Sequence, residues 1–163
     1  MLNKIFILCY FVVIVCLFGA CSGHDTTSYA GKQYDPTEKV EAVYQTGQIP
    51  KSCRVTAHIL VTIPSKFSGQ DSANAIADEA KLRGADMVLV GQSRQSEDEK
   101  QLTYTYYGPV HEYGISQWTG WSFGYDEWED QGEWVNIGYT EWGNSSVEFD
   151  YPIMMQLAFL RCH

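Results

Sequence analysis

The chain reads as an α+β domain: one mixed or antiparallel sheet of about four to six strands, a single main helix, and an aromatic-rich hairpin and loop segment. Three observations lead there. A strand pattern, a helix pattern and another strand pattern follow one another between residues 54 and 90, the order of a βαβ or split-βαβ unit. The run Ile153–Arg161 is apolar on both faces, as a central strand is. Between these parts, residues 108–150 are rich in Gly, Trp and Tyr and show no sustained period, which predicts irregular loops and hairpins. A length of 163 residues suits one domain.

Taken in chain order, residues 1–20 have the three parts of a secretory signal peptide. A short start with Lys4 precedes the uncharged apolar run 5–18, then Gly19 and Ala20. That run falls short of the ~20 apolar residues a spanning helix needs, and the polar stretch after it has no positive stop-transfer cluster. The segment Leu17-Phe18-Gly19-Ala20-Cys21 resembles the bacterial lipobox, with Phe18 in place of the usual Leu. The resemblance implies a diacylglyceryl thioether on Cys21 and an acyl chain such as palmitate on its new amino terminus. Two or more chains give stable anchoring where one does not. Ser22 rather than Asp follows the Cys, which by resemblance to enterobacterial sorting implies the outer membrane, facing the periplasm.

Residues 21–39 are expected to be a lipid-anchored tether, small and polar up to Asp35, with a single domain over 40–163. A short strand is expected at Val40–Tyr44. Arg54–Ile63 is a strand whose Val55, Ala57, Ile59, Val61 and Ile63 fall on one face at period 2. The spacing of Ala73, Ile76, Ala77 and Ala80 predicts a helix over 71–83, capped at its start by Ser68 or Asp71 and at its end by Gly84. Met87–Val90 is a short apolar strand. Residues 95–100 read as a charged turn, Leu102–Tyr107 as a strand, and Glu133–Tyr139 as a segment pairing with a neighbour.

The cysteines fit an oxidising compartment. Cys9 and Cys16 leave with the signal and Cys21 takes the lipid, so Cys53 and Cys162 remain as a pair. They flank two apolar strands, and if those strands are antiparallel neighbours the sulfurs meet at one end of the sheet. A disulfide is expected ahead of two free thiols. A zinc site with His163 would need four ligands, which this pair does not supply; no metal and no cofactor are expected.

The formal charge is −9. An acidic chain repels phosphate backbones and anionic headgroups, which excludes nucleic-acid binding and polybasic membrane docking. There is no Walker loop, no GxGxxG and no GxSxG elbow, so the chain is expected not to be an enzyme. His58 and His111 stand alone and read as surface residues of a strand or loop.

Tyr34-Asp35-Pro36-Thr37, then Val40, together with Gly84-Ala85-Asp86 leading into an apolar strand, resembles a group of small bacterial envelope lipoproteins. Those carry a Y-x-P-T…V segment after the lipid Cys and a "LGADAV"-like helix–strand junction. A βαβ core with a disulfide is also similar, more distantly, to the Rcs envelope-stress sensor lipoprotein. The resemblance covers roughly residues 34–92. It implies an α+β domain on a lipid tether and a binding or structural role, with no catalytic residues. On physical grounds alone, Gly84 suits positive φ, Ala85 a close approach, and Asp86 a bond to the turn amides.

The candidate binding residues lie in the aromatic segment: Trp121, Trp128 and Trp134, with Asp126 and Glu129. Aromatic faces stack on sugar rings and carboxylates bond hydroxyls or a hard cation, but the ordered spacing of a calcium loop is missing. The plainer expectation is a solvated acidic hairpin whose aromatics pack on the sheet. The leading functional expectation is a lipid-anchored structural or accessory subunit of an envelope assembly, secretion included, that meets a protein partner through this segment. Alternatives are an envelope-stress sensor, or a binder or hydrolase of cell-wall glycan with peptidoglycan as partner.

Overall fold

The computed structural model describes residues 29–97 and 101–162. The expected signal peptide 1–20, the lipidation site Cys21, the end of the charged turn and His163 lie outside the described residues. The architecture is α+β, with one mixed sheet and one main helix. Its strands are β1 (Glu41–Val43), β2 (Arg54–Ile63), β3 (Met87–Gln95), β4 (Thr103–Tyr106), β5 (Tyr113–Gly114), β6 (Trp134–Val135) and β7 (Ile153–Arg161). The main helix is α1 (Gly69–Leu82), and α2 (Tyr125–Glu129) is a single short turn.

The sheet order is β1-β3-β7-β2-β4, with β5 added beside β2 and β6 beside β3. The seventh strand exceeds the expected range because two of the strands are two-residue edge pieces, too short to show a period. β7 pairs antiparallel with both β2 and β3, and among the described strands only β1–β3 is parallel. The unit β2-α1-β3 is therefore a split βαβ, with the last strand of the chain inserted between its two strands. Every residue of Ile153–Leu160 is buried, as a central strand requires. Short strands cover both edges, which limits the exposed ladder that another chain could pair with.

α1 forms where the alanine spacing predicts, two residues earlier at its start. Ser68 is the N-cap: its Oγ accepts the Asp71 N–H at 3.1 Å, and the Asp71 carboxylate accepts the Ser68 N–H at 3.1 Å. At the other end Gly84 takes φ +72°. Its N–H donates to the Lys81 carbonyl at 2.9 Å, and the Ala85 N–H to the Ala80 carbonyl at 2.9 Å. Ile76 and Ala80 are fully buried against the sheet, Ala73 is buried and Ala77 only partly so.

Three expectations change here. A bulge between Val55 and Ala57 shifts the alternation of β2 by one residue. Ala57, Ile59, Val61 and Ile63 face α1, whereas Val55 packs on the opposite face with Cys53, Leu89 and Leu160. β3 runs on to Gln95 because a second bulge between Val90 and Ser93 carries the polar Gly91–Gln95 half back into register with β7. The expected 133–139 pairing shrinks to Trp134 and Val135 against Arg94 and Ser93.

The disulfide forms. Cys53 and Cys162 stand at the same end of the antiparallel β2–β7 pair, with Cα atoms 4.0 Å apart and a sequence separation of 109. Cys53 is fully buried. Asp86 does something other than cap its own turn. Its carboxylate accepts the Cys162 N–H at 2.7 Å and faces the Arg161 guanidinium at 3.3 Å, fastening the end of β7 beside the disulfide.

The described part of the expected tether lies on the domain. Tyr29 meets Tyr106 edge-on at 5.2 Å, with the Arg83 guanidinium 5.2 Å from the Tyr29 ring. The Tyr34 hydroxyl donates to Glu112, and the Thr37 N–H donates to the Lys81 carbonyl at 3.1 Å. The Thr37 hydroxyl donates to the Ala85 carbonyl. The two motifs behind the family resemblance are thus in direct contact.

Candidate binding surface

One face of the sheet is covered by α1. The other carries no long helix among the described residues and is covered by the aromatic segment. Trp118 and Trp121 pack on Val55, Leu89 and Leu160, while Phe123 and Trp128 pack on Leu60 and Met154. The aromatics thus pack on the sheet as expected, but the acidic stretch forms the short helix α2 and not a hairpin, because Trp128 turns inward onto Leu60 and Met154. Two residues allow the packing. A Cβ on Gly91 would lie 2.6 Å from the Trp121 ring, so only glycine lets that ring reach the sheet. Gln156, fully buried in the middle of β7, donates through Nε2 to the Phe123 carbonyl at 3.1 Å and the Trp121 carbonyl at 3.4 Å. It ties the layer to the central strand. One polar residue in an apolar run was its only trace in the sequence.

The five candidate residues separate. Trp121 belongs to the packed layer, in edge contact with Trp118 at 4.9 Å and Phe123 at 5.9 Å. Trp128 is 4 % exposed and anchors α2. Trp134 is 63 % exposed on β6, and Asp126 and Glu129 are exposed on α2. Trp128 and Trp134 meet edge-on at 5.8 Å. Arg94 brings them together: its guanidinium lies 5.9 Å from the Trp128 ring and 5.3 Å from the Trp134 ring. It also donates to the carbonyls of Trp128 and Gly132, each at 2.9 Å. Arg94 was not singled out from the sequence, because nothing local marks a cation on a strand as the clamp of a distant helix.

The surface that results has one broad exposed indole, the exposed Tyr125, and a rim of exposed acids: Asp126, Glu127, Glu129, Asp130 and Glu133. Among the described residues no three His, Cys, Asp or Glu side chains come together as metal ligands, and no helix is long and apolar enough to cross a membrane.

His58 departs from expectation. It is not a surface residue but sits inside the aromatic layer, stacked on Phe123 at 4.4 Å and edge-on to Trp118 at 5.7 Å. Its Nε2 lies 2.8 Å from the Tyr113 hydroxyl, which donates to it when the ring proton is on Nδ1. Burial pushes the His58 pKa down to about 4 and the Tyr113 phenol up to about 12. Both are therefore neutral at ordinary pH, which suits a packed pair. His111, by contrast, is exposed as expected.

The depressed His58 pKa has a direct consequence. Above about pH 6.5 the ring is neutral folded or unfolded, and its packing contribution is complete. As pH falls from there toward about 4, the unfolded chain takes up a proton that the folded one does not. Stability should then drop by an amount on the order of 3 kcal/mol. Urea titrations across that window should show the slope in the native protein and a shallower one in His58→Phe. Identical slopes would mean the ring is protonated in place.

A smaller charged cluster lies at the β5 end. Glu112 accepts from Tyr34 and lies 3.5 Å from Lys32 and 4.0 Å from Arg54. The Tyr34 hydrogen bond, followed by the two cations, holds its carboxyl below the usual range.

No protein-family model, no curated protein and no solved structure matches the chain.

Proposed function

We propose that the protein is a non-enzymatic envelope lipoprotein, anchored through Cys21, that presents Trp134 and its acidic rim to a protein partner with a basic surface. The observation that supports this reading is the polarity of the domain. Tyr29, Tyr34 and Thr37 dock at the end of the domain that holds the α1 C-terminus, Gly84 and the disulfide. Trp134 and Arg94 lie toward the opposite end, where β3 finishes and β7 begins. Tyr29 stands eight positions after Cys21, a reach of at most about 27 Å. An anchor there keeps the docked end near the bilayer and turns the Trp134 end outward, where an envelope assembly could meet it. Exposed Trp beside Arg is the composition of an interface anchor, and the acids around it select a basic partner.

A photo-crosslinking residue placed at Trp134 in whole cells should capture one defined partner, whereas the same residue at Leu82, exposed on α1, should not. Trp134→Ala should weaken that association about 30-fold, as removal of an interface hot spot does. Equal crosslinking from both positions would discard the surface. Mass spectrometry of the mature amino terminus tests the anchor separately: an unmodified Cys21, or a retained Met1, would remove it.

A further inference from the structure

A second feature lies apart from the Trp134 surface. Between β1 and the turn at residues 138–145 is an open cleft of about 530 Å³, lined chiefly by Tyr44, Tyr139, Trp142, Thr140, Asn144 and Ser145. Its volume falls in the usual range of small-ligand sites. The Tyr139 ring is 85 % exposed and meets the Tyr44 ring edge-on at 6.3 Å, the planes 79° apart. Two aromatic walls therefore meet near a right angle, with the half-buried Trp142 also lining the cleft. So exposed a ring adds nothing to the core.

The turn that carries Tyr139 is firmly held. The Gly138 N–H donates to the Glu141 carboxylate at 2.9 Å, and the Trp142 N–H to the Gly138 carbonyl at 2.9 Å. The Asn144 side chain donates to the Thr140 carbonyl at 3.1 Å and accepts the Ser146 N–H at 2.9 Å. The far side of the turn rests on the start of α1, where the Gly143 N–H donates to the Gly69 carbonyl at 3.1 Å. A Cβ on Gly69 would lie 1.9 Å from the Glu141 carbonyl oxygen, so the contact is close enough to require glycine. The rings are consequently preorganised, and a ligand would not have to order the loop.

We propose that this cleft binds a neutral glycan, with the apolar face of one pyranose ring against Tyr139 and Trp142 and its hydroxyls toward the hydroxyl and amide groups of Thr140, Asn144 and Ser145. The chemistry follows from what lines the cleft. Aromatic faces carry negative π density and attract the C–H face of a sugar ring. The Thr140 hydroxyl donates to the Glu141 carboxylate at 2.6 Å and keeps its lone pairs, and the Asn144 amide, with one N–H and one lone pair used inside the turn, keeps one of each for a sugar hydroxyl. The Ser145 hydroxyl can donate and accept. Among the described residues no Lys or Arg side chain lines the cleft, and the chain as a whole carries −9. A pyranose that itself bears a phosphate or a free carboxylate would find no counter-charge there, so a cell-wall strand would have to enter through its neutral N-acetylhexosamine ring. The proposal stands apart from the partner surface, since it uses other rings on another turn.

The test uses the full mature protein in a zwitterionic detergent without a sugar headgroup. The probes are chitotriose, maltotriose and purified peptidoglycan sacculi. Saturation-transfer NMR should show contact with at least one soluble sugar, or sedimentation should show retention on sacculi. Retention on sacculi alone would assign the glycan to the cell wall, and a maltotriose response to a soluble glucan. Tyr139→Ala should weaken binding about tenfold. Tyr139→Phe, which keeps the ring, should bind almost as the native protein does, and Trp134→Ala should leave binding unchanged. Absence of binding to all three probes would overturn the proposal. So would undiminished binding by Tyr139→Ala, or a loss confined to Trp134→Ala.

Discussion

Replacing Cys53 and Cys162 together by alanine should lower the unfolding free energy by about 4–5 kcal/mol, the chain-entropy value for a loop of roughly 100 residues. The bond closes almost the entire folded domain, its ends 109 positions apart in sequence. In the native state it is largely redundant. The β2–β7 ladder pairs residues from Arg54↔Arg161 to Ile63↔Ile153, and the Asp86 carboxylate already holds the Cys162 amide. Its effect therefore falls on the unfolded chain, which it denies most of its expanded conformations. Two readouts follow for a urea titration. The midpoint should fall, and the slope should rise, because an uncrosslinked unfolded chain exposes more surface. A domain has only about 5–15 kcal/mol in all, so the doubly substituted protein should be marginal. A loss below about 1 kcal/mol with an unchanged slope would show that the loop entropy had been offset elsewhere.

Gly84→Ala should cost about 2–4 kcal/mol, from two separate sources. Position 84 has φ +72°, where a side chain is strained by about 1 kcal/mol. The new Cβ would also lie 2.5 Å from the Tyr34 Cβ and 2.7 Å from the Asp35 carbonyl oxygen. Neither atom is the free end of a flexible side chain, so backbone must move, a further overpacking cost of about 1–3 kcal/mol. The segment carrying Tyr34 and Thr37 is the one that can yield. Trypsin should then cut after Lys32 and Lys39 faster than in the native protein, before the domain as a whole unfolds. A stability change under about 1 kcal/mol with unaltered cleavage would mean that the 34–37 segment does not depend on this contact. The close approach also explains why the two short motifs occur together in one chain. They are two sides of one joint, and packing accounts for them without a ligand.

The long elements were legible in the residues alone. β2, α1, β7 and the start of β3 each carry a period or an unbroken apolar run over many positions, and such patterns express local geometry. The Ser68 and Gly84 caps were legible for the same reason, since each acts within a turn of its own helix. The cysteine pair followed from counting and from the expectation that its flanking strands are neighbours.

Other features depend on residues far apart in sequence, and no local pattern carries them. One bulge residue moved Val55 to the opposite face of the sheet, because side chains alternate strictly and one extra residue inverts the alternation. The second half of β3 is polar because it lies beyond the bulge and under the turn that carries β6, not because it is a loop. Asp86 was expected to serve its own turn and instead holds the end of β7, brought beside it by the insertion of that strand. His58 looked solitary until Phe123, Trp118 and Tyr113 closed around it.

The candidate surface divides in the same way. Composition marked residues 108–150 as aromatic and acidic, but a list of tryptophans does not say which of them face water. Folding buried Trp128 and set Trp121 against Gly91, and left Trp134 exposed beside Arg94. Burial is a property of the packed sheet face, whose apolar area needed a cover once α1 had taken the other side. Tyr139 gave no sign in the sequence, because its position depends on a turn pinned to Gly69 some 70 residues earlier. Local periodicity thus set the elements and their caps. Contacts between distant residues set the faces, the joints and the exposed rings on which the proposed functions rest.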